Sequence, residues 1–149
     1  MNELFAAMYE SLFGVYNANY LEIFTTLFDF GGYLRLGFLF IGLPLLFWLL
    51  FYYLWKYPYG RFLHWLVWLL ASAVTVLVAT WLVADHAIFD SGNQALADAL
   101  GDAESGYKAY AEELPMRYAL INAGLSLAVG FMASLVMKQF SRIQMHLPF

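Results

Sequence analysis

From Leu36 to Trp55 the chain reads LGFLFIGLPLLFWLLFYYLW without a formal charge. At 1.5 Å per residue such a run spans about 30 Å, the thickness of a bilayer's hydrocarbon core. A second uncharged run extends from Phe62 to Ala84, its only strongly polar positions being His64, Ser72, Thr75 and Thr80. A third, Tyr118 to Met137, is richer in small residues, and Pro115 is expected to mark its start, because proline is tolerated in a helix's first turn. All three runs are apolar on every side, whereas a helix in a small water-soluble protein must turn a polar face outward. The pattern therefore predicts an all-α integral membrane protein with transmembrane helices at 36–55, 62–84 and 118–137. Pro44, two residues after Gly42, predicts a kink in the first.

The remaining segments alternate. In residues 1–32, Phe5, Met8, Leu12 and Tyr16, then Leu21, Phe24 and Phe28, recur at helical spacing against Glu3, Glu10, Asn17, Glu22 and Asp29. This predicts amphipathic interfacial helices lying against headgroups or neighbouring protein, with Gly31 and Gly32 turning the chain into the first span. The loop 85–117 is too long for a simple turn, and Asn93–Leu100 and Tyr107–Leu114 read as two short helices punctuated by Gly92, Gly101 and Gly106. The tail 138–149 completes a single membrane domain with no internal repeat.

Composition agrees with the pattern: 63% of the residues are hydrophobic and 12% charged, against about 25% charged in an ordinary soluble domain. Seven Lys and Arg and a net charge of −4 exclude a basic nucleic-acid binder. Near the spans, Lys56 and Arg61 between the first and second, and Lys138 and Arg142 after the third, stand apart from any acid. The eleven acidic side chains all fall in residues 1–35 and 85–117. The positive-inside rule then places the C-terminus in the cytoplasm, with the N-terminus and the 85–117 loop outside an inner or plasma membrane. On this reading FYYLWKYPYGRFLHW (51–65) is a cytoplasmic hairpin whose aromatic belt and charges, Trp55, Lys56, Tyr57, Tyr59, Arg61 and Trp65, anchor it at the headgroups. The N-terminus lacks a cationic signal region, so the chain is expected to be mature from Met1.

Candidate chemistry is sparse. There is no cysteine, hence no thiolate metal site or Cys nucleophile, and no carboxylate or Lys sits at mid-span, where ion-coupled transport normally requires one. His64 is the one candidate cofactor residue, as an axial haem ligand or beside a quinone; no cofactor is otherwise expected. Asp85, His86 and Asp90 could offer a divalent metal two carboxylates and an imidazole, but residues of this kind at a helix end are ordinarily solvated, and no metal site is predicted. No hydrolase elbow or phosphate-cradling loop occurs, so the chain alone is not expected to be an enzyme.

The clearest pattern is a helix-packing face. Asn122, Ser126, Gly130 and Ser134 repeat every four residues, with Ala71, Thr75 and Ala79 as a matching stripe on the second span. Such faces let helices approach closely, either within one chain or against another subunit. Together these features predict a non-catalytic accessory subunit of a larger membrane complex, of energy-converting or secretion type, whose partners are lipid and other membrane subunits. Two alternatives are a haem- or quinone-binding anchor and a self-assembling pore. For the latter, the three-span order with a cationic tail is similar in topology to phage holins.

Overall fold

The computed structural model describes residues 1–55, 61–102 and 104–141. The expected anchors Lys56, Tyr57 and Tyr59, with Pro58, Gly60, Arg142 and the rest of the tail, lie outside the described residues. The chain is all-helical, without strands among the described residues, and three helices are long and apolar enough to cross a membrane.

A short helix α1 (Asn2–Ala7) widens into a π turn at Met8–Leu12. Gly14, at φ +63°, turns the chain in a conformation that side-chain-bearing residues avoid, and a single 3-10 turn (Ala18–Tyr20) leads into α2 (Leu21–Asp29). Gly31, at φ +68°, reverses direction into α3 (Gly32–Leu49), which continues past Pro44 and ends in a second π turn, Leu50–Leu54. After the hairpin come α4 (Phe62–Phe89), α5 (Gln94–Gly101) and α6 (Tyr107–Phe140). The Asn93 side chain caps α5 by accepting from the Ala95 N–H at 3.0 Å.

The long helices α3, α4 and α6 pack pairwise as an up-down-up bundle. The hydrogen bond from Ser141 Oγ to the Tyr52 carbonyl (2.7 Å) sets the end of α6 beside the end of α3. At the opposite end, α1 and α2 lie across the bundle, burying Phe5, Tyr9, Ile23, Phe24 and Leu27 with Tyr33, Leu36, Ala111, Leu114 and Tyr118. A separate aromatic core of Trp48, Phe51, Tyr52 and Trp65 fills the hairpin end.

Three expectations change. The third long helix does not begin near Pro115: α6 starts eight residues before it, so Tyr107–Leu114 is the first part of that helix rather than an independent one. The N-terminal segment docks on its own bundle through Phe5, Tyr9, Ile23, Phe24 and Leu27, while Leu12, Tyr16, Leu21 and Phe28, expected on the same apolar face, stay exposed. The π turn at Met8–Leu12 takes Leu12 off the 3.6-residue register, and α2, a separate helix after Gly14 and the 3-10 turn, is apolar at Ile23 and Leu27 as well as at Leu21 and Phe28, so spacing alone leaves its docking side open. Trp65, expected at the headgroups, is instead buried in the hairpin-end core, its indole turned inward to Ser134.

Candidate functional site: the polar interior of the bundle

The repeat on α6 runs down the inside of the bundle: Asn122, Ser126, Gly130 and Ser134 are all buried. Asn122, fully buried, joins four segments at once. Its Nδ2 donates to the Leu36 carbonyl at 2.9 Å and to Thr80 Oγ1 at 3.1 Å, and its Oδ1 accepts from the Tyr9 hydroxyl at 2.6 Å. Leu36 belongs to α3, Thr80 to α4 and Tyr9 to the N-terminal π turn. One amide therefore uses both of its ends to hold three other segments to α6. Burial pushes the Tyr9 phenol up, well above the usual tyrosine range, which keeps it the neutral donor this bond needs. Its ring stacks on Tyr33 at 6.0 Å and meets Tyr118 edge-on at 5.2 Å, and the Tyr33 hydroxyl donates to Glu10 Oε1 at 2.5 Å.

Three turns further along α6 the same face forms a second lock. Ser134 Oγ accepts from Trp65 Nε1 at 2.7 Å and lies 2.7 Å from the Tyr52 hydroxyl, tying α6 to α4 and to the end of α3. One turn back, a Cβ on Gly130 would lie 2.8 Å from Trp48 Nε1 and 3.1 Å from Leu69 Cδ1, so only glycine admits the Trp48 indole at this depth. Between the locks, Ser126 returns its hydroxyl to the Ala123 carbonyl at 2.7 Å. The polar atoms of this column bond mostly across helices, and what the arrangement does chemically is cohesion.

The matching stripe on α4 is displaced by one residue from the one predicted. Ala71 is exposed and Thr75 and Ala79 are half-buried, with Thr75 Oγ1 bonded to the Ala71 carbonyl at 2.8 Å. The residues of α4 that face inward are Ser72, Val76, Thr80 and Ala84. A helix that is apolar all round carries little information about its own rotation, and small residues at four-residue spacing occur in both registers. Thr80 was legible as a member of the second register; Tyr9 was not, because it lies 113 residues from Asn122 in the chain.

Among the anchors, Trp55 is half-buried and packs edge-on against Trp68 at 5.2 Å, and Arg61 is exposed at the start of α4. His64 is half-buried near that end. His86 lies on the same helix about 33 Å along its axis, so these two cannot flank one haem. His86 Nδ1 pairs with Asp90 Oδ2 at 2.9 Å, both side chains largely solvated. No group of three metal-ligating residues occurs among the described residues. No protein-family model, no curated protein and no solved structure matches this chain.

Proposed function

We propose that the chain is a multi-pass membrane protein acting as a non-catalytic accessory subunit of a larger membrane assembly, of energy-converting or secretion type. The observation that carries this reading is the use made of the polar groups inside the bundle. Asn122, Thr80, Ser134, Tyr52 and Trp65 are engaged in bonds between helices, and three surface pockets lie at the end that carries α2 and α5. A transporter or enzyme keeps polar groups free at mid-depth to meet substrate; here these five fasten helices, while the Ser72 hydroxyl and the Trp48 indole N–H are buried without a hydrogen-bond partner among the described residues.

The outer faces suit lipid and partners. Leu63, Val67, Leu70, Val74 and Leu82 on α4, and Leu120, Met132 and Val136 on α6, are exposed along the spans, and apolar surface of this extent is covered by hydrocarbon or by another subunit. The proposed orientation keeps Arg61 and Lys138 at the cytoplasmic end and the acidic segments outside.

The self-assembling pore is disfavoured by the same observation. A pore of this size needs a polar helix face turned toward other copies, and Asn122, Ser126 and Ser134 are turned inward within one chain. The test of the subunit reading is extraction from its native membrane in mild detergent, followed by identification of the chains that travel with it. A stoichiometric set of membrane partners is the expected result. A stable monomer without companions overturns the reading, and an absorbance band that disappears in His64→Ala would move the protein to the haem-anchor class.

A further inference from the structure

At the outer end of the molecule the π turn and α2 border an open surface pocket of about 290 Å³, lined by Tyr16, Leu21, Thr25 and Phe28 together with Glu10 and Asp29, with the buried Phe24 at its base. We propose that this pocket binds a small amphiphilic organic cation, an alkyl- or arylammonium whose apolar body enters between the rings while its charge meets the two carboxylates.

Charge and shape both select this class. Residues 1–34 hold Glu3, Glu10, Glu22 and Asp29 and no Lys or Arg, so the pocket lies in a stretch whose acidic side chains have no basic neighbour in sequence. No cationic side chain lines it. Arg117, beside the Tyr110 ring that packs on Phe24, is already held by Glu113 at 2.9 Å. Glu10 is fixed rather than free: the Tyr33 hydroxyl donates to its Oε1 at 2.5 Å, which holds the carboxylate in place beside the pocket without a cationic partner among the described residues. The walls supply the other half of the recognition. Tyr16 and Phe28 present exposed aromatic surface there, Tyr16 backed at 5.0 Å by the buried ring of Phe24, and a cation within about 6 Å of an exposed ring is attracted to its π face.

A phospholipid headgroup fits less well. Its ammonium is carried beside a phosphate, which two carboxylates would repel. A metal ion would leave the apolar walls unused. A monocationic amphiphile reaching the pocket from the water–lipid boundary satisfies both features, and the inference stands whether or not the chain belongs to a larger assembly.

The test uses the purified full chain in uncharged maltoside detergent, titrated with benzyltrimethylammonium and followed by calorimetry. Saturable binding is expected. Glu10→Gln and Asp29→Asn should each weaken it about fivefold, as for removal of one unit charge at contact distance in water, and the double variant should lose both factors. Phe28→Ala should weaken it about threefold. Glu10→Gln keeps an oxygen for Tyr33 to donate to, and Asp29 and Phe28 are exposed, so unchanged melting temperatures will show that the fold is intact. Absence of saturable binding, equal affinity in the double variant, or equally tight binding of phenylacetate overturns the proposal.

Discussion

Asn122 shows what a single side chain can do where water is scarce. An amide in an apolar interior is costly unless both its ends are paired, and here Leu36, Thr80 and Tyr9 pair them. Asn122→Leu keeps the branched shape but strands the Tyr9 hydroxyl, and should lower stability by about 1–3 kcal/mol, read as a fall in melting temperature in detergent. Tyr9→Phe strands the Asn122 carbonyl oxygen instead. The double variant removes donor and acceptor together, so its loss should be smaller than the sum of the two; strict additivity would show that the two residues do not act as a pair. The candidate positions Asn122, Ser126, Gly130 and Ser134 were readable as one helical face from spacing alone, since a four-residue repeat fixes which residues share a side. What they touch was not readable. Trp48 against Gly130 and Trp65 on Ser134 depend on the rotation of neighbouring helices, which uniformly apolar sequences leave open.

At the scale of elements, the N-terminal segment is the feature that sequence described least well. Its helices were evident, but a π turn is invisible to a 3.6-residue template, and α2 carries apolar residues on more than one side, so its docking face was not readable. Docking depends on a notch: a Cβ at Gly37 would lie 2.5 Å from the Phe5 ring. Asn2 secures the same contact from above, accepting from the Leu34 N–H at 3.1 Å and donating to the Phe28 carbonyl at 2.6 Å. Gly37→Ala should therefore loosen α1 from the bundle and speed protease cleavage of residues 1–20 several-fold, while α3 itself gains helix propensity. Adding Phe5→Ala should cancel most of the overlap, so that the second substitution costs less in the Gly37→Ala background than alone. Additive effects would argue that α1 does not rest in this notch. The early start of α6 has a different cause. An uncharged run measures the thickness of hydrocarbon, not the length of helix, and the first three turns of α6 carry Lys108, Glu112, Glu113 and Arg117. Pro115 is accommodated within the helix, where its ring rests in a buried position.

Over the whole molecule, the three long helices followed from hydropathy because no other class of fold tolerates such runs. Sidedness rests on a small excess of basic residues and is open to direct measurement. Glu104→Cys, exposed before α6, should react with a membrane-impermeant maleimide in intact cells, and Gln139→Cys, exposed at the far end of α6, only after permeabilisation. Labelling of Gln139→Cys from outside would invert the assignment and with it the setting proposed for the acidic pocket.

The tryptophans are unevenly placed along the long axis. Trp48, Trp55, Trp65 and Trp68 gather at the hairpin end, leaving Trp81 alone of the chain's five tryptophans elsewhere, whereas α1 docks at the opposite end, beside Tyr9, Tyr33 and Tyr118. Tyrosine stands at both ends, since Tyr52 belongs to the hairpin-end core, so only tryptophan distinguishes them. Excitation at the red edge, which tyrosine does not absorb, reports mainly the hairpin end, and undocking of α1 should pass almost unseen in that channel without any dye being attached.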